Sequence, residues 1–219
     1  NQQLRVKTNK QNASLHTIDQ DFKNAFTLLK SKDYSYALKF QERQVRLNIA
    51  GRRGFDNTVF ALFIWQNLGY DIHIAINAIA EVVWPHRFSK RYSEYFEQDI
   101  YFSGDHNQQG ISSLVDIIAD QPNQKWKFLM ALSEGRDSNE MFEAIYKNKN
   151  IELVICDSPF RPMPMQEYKK WKNWNQWNGF YDTSPEKALA YIKESLQPNE
   201  NILIGGSLYL TGHIDHILI

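Results

Sequence analysis

The last nineteen residues, Asn201–Ile219, read NILIGGSLYLTGHIDHILI. An apolar run, Ile202–Ile204, meets Gly205-Gly206 and then Ser207-Leu208-Tyr209-Leu210. A short apolar run of this kind reads as a buried strand. Glycines at its end mark a place where the backbone comes close to something else. A small hydroxyl, Ser207, sits at the tip. In open α/β sheets the crevice beyond the strand C-termini is where ligands bind. The stretch therefore predicts a sheet strand ending at a site, provided the preceding chain supplies the rest of the sheet.

Working back from it, helices and strands alternate. Ser184 with Pro185 opens a helix over Pro185–Leu196, with Pro at the first helical position. Strands are predicted at Ile151–Cys156 and Trp126–Leu132, and two short ones within Tyr95–Phe102, the second at Asp99–Phe102. Helices are predicted at Asn139–Tyr146, capped by Asp137 or Ser138, and at Gly110–Ala119. Strands separated by such helices read as βαβ units. The expected class is α/β, with a Rossmann-like, largely parallel sheet. Between Cys156 and Ser184 the chain reads as an irregular, Pro- and Trp-rich segment.

Further upstream the pattern changes. Gly51-Arg52-Arg53-Gly54 reads as a loop, and Asp56 or Asn57 as the cap of a helix over Thr58–Leu68. Asp71 caps a second helix, Ile72–Val83, making an αα pair that Trp84-Pro85-His86-Arg87-Phe88 ends. Tyr34–Phe40 and Gln44–Ile49 alternate apolar residues and read as a hairpin turning at Gln41-Glu42-Arg43. Lys23–Lys30 fits either helix or strand. Residues 1–14 are polar and basic and read as a weakly ordered lead-in. The expected division is 1–88 for the first unit and 89–219 for the Rossmann-like one.

Composition narrows the function. The 219 residues carry 25 Lys+Arg and 25 Asp+Glu, which argues against bulk binding to nucleic acid or an anionic membrane. No apolar run approaches the ~20 residues of a membrane span. One cysteine, Cys156, fits a reducing compartment such as the cytoplasm. At a strand end without a paired His, it reads as a buried structural thiol. The chain begins at Asn1 without a signal peptide or an initiator Met, as a processed protein or a piece of a longer one would.

Neither a Walker A pattern nor GxGxxG occurs in the 219 residues. Ser103-Gly104-Asp105-His106-Asn107 lies between a predicted strand and helix, the usual place for site residues. His106 suits carboxylate binding or proton transfer, and Asp105 and Asn107 equally suit helix capping. His213 and His216, with Asp215 between them, fall short of a metal ligand set. Tyr168–Trp177 interleaves lysines and aromatics. The tryptophans recur at a spacing of three, which favours packing on the sheet over stacking on bases.

The order of these fragments resembles the C-terminal half of the folylpolyglutamate synthase/dihydrofolate synthase family, within the Mur ligase superfamily. That family carries G-x-H-Q-x-x-N-A, W-P-G-R, D-G-A-H-N-P, K-D and G-S-L-Y-L-V-G in this order. Here the corresponding residues are Asn57, Trp84-Pro85-x-Arg87-Phe88, Ser103-Gly104-Asp105-His106-Asn107, Arg136-Asp137 and Gly206-Ser207-Leu208-Tyr209-Leu210. The resemblance implies an ATP- and Mg2+-dependent ligase that adds L-glutamate to a folate through an acyl phosphate. The P-loop and most magnesium ligands would belong to an N-terminal ATPase domain. By the same resemblance, Asn57 contacts adenine, and Arg87 reaches the nucleotide together with Ser103 and Asp105. His106, Asn107 and Ser207 hold the incoming glutamate.

The pattern also departs from the family. Its aspartate falls on Ser103 while an acid appears at Asp105, its H-Q pair falls on Arg53-Gly54, and its lysine falls on Arg136. These departures leave room for a second reading, a ligase-like module with a binding or assembly role.

Overall fold

In the computed structural model, which describes residues 16–218, the chain forms two sheets that share one hydrophobic cluster, with a second cluster on the far face of the larger sheet. The lead-in expected over residues 1–14 lies outside the described residues. A short helix α1 (Gln20–Asn24) leads into a three-stranded antiparallel sheet, β1 (Phe26–Lys30), β2 (Tyr36–Phe40) and β3 (Arg43–Leu47). Lys23–Lys30 thus divides: Asp19 caps the helix, and the alternating residues from Phe26 onward take the strand. The hairpin turns at Gln41, whose φ of 52° sits in the left-handed region.

Helices α2 (Gly51–Asn67) and α3 (Ile72–Ile79) follow as a contacting pair. Gly51–Gly54 belongs to α2 and is not a loop. The two glycines serve close packing: a Cβ on Gly51 would meet the Ile117 side chain at 2.7 Å, and one on Gly54 would strike the Ile49 carbonyl. The N-cap is Ala50, without a side-chain hydrogen bond, so Asp56 and Asn57 lie on the second turn rather than capping it. Asp56 instead pairs with Arg52 one turn earlier at 2.9 Å. Asp71 caps α3, as expected, by accepting from His73 N. The helix stops short of Val83 because Asn48 Nδ2 donates to the Ala80 and Val82 carbonyls at 2.7 and 3.2 Å.

The second sheet has six strands: β4 (Arg87–Ser93), β5 (Gln98–Ser103), β6 (Lys125–Met130), β7 (Ile151–Cys156), β8 (Phe180–Asp182) and β9 (Glu200–Gly205). Their order is β4-β5-β9-β6-β7-β8, parallel except for the β4–β5 pair. The first strand candidate near Tyr95 is displaced: Tyr95–Glu97 form the turn, and β4 lies upstream in the supposed connector. Its alternation is hard to read because an edge strand carries Lys90 and Arg91 toward solvent and ion partners. The segment read as irregular contains a short helix α6 (Met165–Tyr168) and the edge strand β8. Trp171 within it is fully buried, and the Tyr168 hydroxyl is hydrogen-bonded to Leu132 N at 3.0 Å, so the aromatic run packs on the sheet.

Side chains alternate across the sheet with the period of two that strands impose. Trp126, Phe128 and Met130 face helices α4 (Gln108–Ala119) and α5 (Ser138–Tyr146), together with the small sheet and α2. Leu129, Val154, Ile202 and Ile204 face α7 (Pro185–Ser195) and α8 (Leu208–Ile217). Tyr34 bridges the two sheets, with its ring against Phe88, Tyr101 and Trp126. Lys30 pairs with Asp120 at the end of α4 at 2.8 Å. The final stretch is a strand followed by a helix rather than a turn: Ser207 caps α8, which buries Leu210 and Ile214 one turn apart.

Candidate functional site

Strands β5 and β9 are parallel neighbours, with Ser103 opposite Gly205. The helix after β5 packs on one face of the sheet, and the helix after β9 on the other. Such a divergence opens a crevice at the strand C-termini. Two loops flank it, Ser103–Asn107 and Gly206–Ser207. Gly206 is held at φ 82°, and a Cβ there would lie 2.5 Å from the Ala131 carbonyl. The close approach read from the paired glycines is therefore to the neighbouring strand end.

In the first loop, buried Ser103 donates its hydroxyl to Asp105 Oδ2 at 2.7 Å. The other carboxylate oxygen accepts from Arg53 at 3.0 Å and lies 3.6 Å from Arg87. This carboxylate sits against the first turn of α4, where a Cβ on Gly110 would come within 2.6 Å of Oδ1. The unsatisfied N–H groups and dipole of a helix start favour an anion there. Asn107 caps the same helix, accepting from Gly110 N at 2.8 Å. His106 Nδ1 is 2.8 Å from the Gly104 carbonyl, which can only accept. That bond places the ring proton on Nδ1 and leaves Nε2 as an acceptor in the neutral ring.

Arg87 is aimed by its neighbours. His86 and Phe88 both have φ of 56°, and the β4–β5 register slips between Arg87 and Ser89. A bulge of this kind redirects a side chain. Burial of Phe88 and its ring contact with Tyr101, 5.0 Å between centroids, offset the strained backbone. The Arg87 guanidinium also lies 5.7 Å from the Trp84 ring centroid.

Arg53, Asn57, Trp84, Arg87, Asp105 and Ser113 line a cavity of about 140 Å³. Beside it runs an apolar cleft of about 370 Å³ between β3, α2 and α3. Ile49, Asn57 and Trp84 line both. The depression thus has an apolar, aromatic end and an end with two guanidiniums. That combination suits a ligand with a flat apolar part and an anionic part.

The second loop is built differently. Ser207 is 2% exposed, and its Oγ accepts from Tyr209 N at 3.2 Å. It also lies 3.2 Å from Ser158 Oγ and 3.5 Å from Ser133 Oγ. Ser158 in turn donates to the Phe160 carbonyl at 3.0 Å. Three hydroxyls from the ends of three adjacent strands therefore meet under the crevice. Neither His106 nor Ser207 lines the two-arginine cavity.

The structure brings Asn57, Arg87 and Asp105 to one cavity and ties Ser103 to it through Asp105. Sequence reading did not place Arg53 or Trp84 in this cavity, nor Ser133 and Ser158 beside Ser207. Ser133 and Ser158 did carry a signal, since each follows a strand of the parallel sheet. Arg136 is exposed, and Asp137 caps α5 by accepting from Asn139 N. Elsewhere, burial pushes the Cys156 thiol well above its ordinary range. Burial also raises the Asp157 carboxyl, against the Tyr181 hydroxyl that donates to it at 2.9 Å. His213 is engaged by Glu186 at 2.8 Å, and Asp215 pairs with Arg91. Among the described residues no cluster of three or more His, Cys, Asp or Glu is arranged to hold a metal.

No family model matches the chain, and no curated protein matches it by sequence. Solved structures do match by shape. A folylpolyglutamate synthase from Thermotoga maritima superposes with a TM-score of 0.65 at 17% identity, covering 96% of this chain and 49% of that one. A Mycobacterium tuberculosis folylpolyglutamate synthase complexed with ADP gives 0.75 at 15% identity, covering 98% and 51%. A bifunctional folylpolyglutamate synthase/dihydrofolate synthase with Mn, AMPPNP and L-glutamate bound gives 0.71 at 14% identity, covering 99% and 50%. The chain has the fold of half a folylpolyglutamate synthase. It spans about half the length of the structures it matches. Among its described residues no helix is long and apolar enough to cross a membrane.

Proposed function

We propose that this chain is the C-terminal half of an ATP-dependent ligase that joins L-glutamate to a folate. ATP would activate the acceptor carboxylate, with Mg2+ and the P-loop held mainly by the other half. The observation that carries the reading is the convergence of Asn57, Arg87 and Asp105, from three separate segments, on one cavity beside an apolar cleft. The folylpolyglutamate synthase fold supports it.

In this reading Asn57 and Trp84 meet the adenine edge, and Arg87 binds the phosphates. Ser103 positions Asp105 beside Arg87. His106, with Nε2 free to accept, takes the ammonium group of the incoming glutamate or its departing proton. Asn107 fixes the loop as the α4 cap, and Ser207 offers its hydroxyl to a glutamate carboxylate. The division into a segment over 1–88 and a Rossmann-like unit over 89–219 belongs to the same proposal, as does a cytoplasmic location.

The other half would dock on the α2–α3 pair. Phe60, Ile64, Leu68 and Ile74 on the pair, and Val83 and Trp84 just after it, are large, apolar and exposed. Between Thr58 and Trp84 the only acidic or basic residues besides His73 are Asp71 and Glu81. Apolar surface on this scale marks an interface, and the matched structures carry about as much chain again.

One observation favours a non-catalytic binding or assembly role instead: the Ser207 hydroxyl is already engaged by Tyr209 N and by Ser158. Substitution of Arg87 separates the two. In the intact polypeptide, Arg87→Ala is expected to weaken ADP binding roughly tenfold to a hundredfold, the loss of a charge-assisted contact. Unchanged affinity would overturn the nucleotide assignment.

A further inference from the structure

The cavity holds a feature that its two arginines alone do not explain. Asp105 places a carboxylate between them, with Oδ1 at 3.0 Å from Arg53 and 3.6 Å from Arg87. Its other oxygen is occupied by the buried Ser103 hydroxyl at 2.7 Å. The Asp105 side chain is only 15% exposed, against 37% for Arg53 and 32% for Arg87. The carboxylate is therefore fixed from below by Ser103 and the α4 start, while the two arginine side chains are the more exposed partners.

We infer that Asp105 acts as an internal anion that holds Arg53 and Arg87 in place, and that nucleotide phosphates compete with it for both. The inference rests on the nucleotide reading above and adds Arg53 as a second phosphate-binding group. Two guanidiniums and one carboxylate leave a net single positive charge facing the cavity. Without a ligand, the carboxylate keeps the two cations from repelling each other. With phosphates present, the guanidiniums turn outward to oxygens that carry more charge, while Asp105 keeps its Ser103 bond. Asp105 thus sets affinity for the charged part of the ligand, not for its base. Arg53 makes the exchange possible because a guanidinium can fork between two oxyanions.

A comparison of ADP with adenosine tests this, because adenosine keeps the base and sugar but lacks phosphates. Binding is measured by calorimetry on the intact polypeptide, in EDTA so that no metal bridges the carboxylate. Asp105→Asn keeps the shape and removes the charge. It is expected to tighten ADP about fivefold, the effect of removing one competing charge a few ångströms away. Adenosine should be unchanged.

Arg53→Gln, at a side chain 37% exposed, is expected to loosen ADP about fivefold and again spare adenosine. In the Arg53→Gln background, Asp105→Asn should gain less than it does alone. The inference is overturned if Asp105→Asn weakens ADP, leaves it unchanged, or shifts ADP and adenosine equally. It falls alone if ADP binds the unaltered protein but these changes do nothing. If neither ligand binds the unaltered protein, the nucleotide reading falls with it.

Discussion

The six-stranded sheet and the α2–α3 pair treat their apolar residues in opposite ways. Trp126, Phe128, Leu129, Met130, Val154 and Ile155 are at most 1% exposed. On the helical pair Leu68 is 66% exposed and Ile74 62%, and Val83 just beyond it is 77% exposed. Both regions are rich in large hydrophobics, so composition alone does not distinguish them. The sheet is covered on both faces by its own helices and is finished as a fold. The helical pair buries Val59, Leu62 and Ile76 inward and presents a second apolar face outward. A helix that is apolar on both sides expects a partner on both sides. The candidate nucleotide cavity lies where the two regions meet.

The difference can be broken from either side. Trp126→Ala, deep in the sheet, is expected to cost about 3–5 kcal/mol of stability by transfer and cavity terms. Chemical denaturation checks this, and a loss below about 1 kcal/mol would mean the sheet core is looser than described. Gly206→Ala comes next, since it forces a Cβ toward the Ala131 carbonyl at a positive φ. It is expected to cost about 1–3 kcal/mol.

The smallest effect on stability belongs to Leu68→Ser with Val83→Ser. Substitutions at exposed positions usually stay within about 0.5 kcal/mol. The pair should leave the melting of this chain nearly unchanged yet reduce its association with the other half. A double variant that melts much earlier would show that this face is packed in solution already.

Parts of this arrangement were legible in the sequence. β7 is a bounded apolar run, and its residues Ile151–Cys156 fall where expected. The caps at Asp71, Asn107 or Asp105, Asp137 or Ser138, and Ser184 were named from residue type, because a side-chain oxygen ahead of an apolar period is a local signal. What escaped was tertiary. Gly51 and Gly54 look like loop formers but serve close packing inside a helix. β4 hides behind edge lysine and arginine, and three-residue β8 is too short to show a period. The convergence of Arg53, Trp84, Arg87 and Asp105 joins α2, the connector, β4 and a loop, which no local pattern links.

The most direct test of the central claim is turnover by the intact polypeptide that carries this chain. ADP formation is followed with ATP, Mg2+, L-glutamate and a pterin acceptor, each omitted in turn. The account predicts ADP formation that requires acceptor and glutamate together, with glutamate appearing in amide linkage on the product. ADP formation that ignores both, or none with dihydropteroate or any folylglutamate, would contradict it.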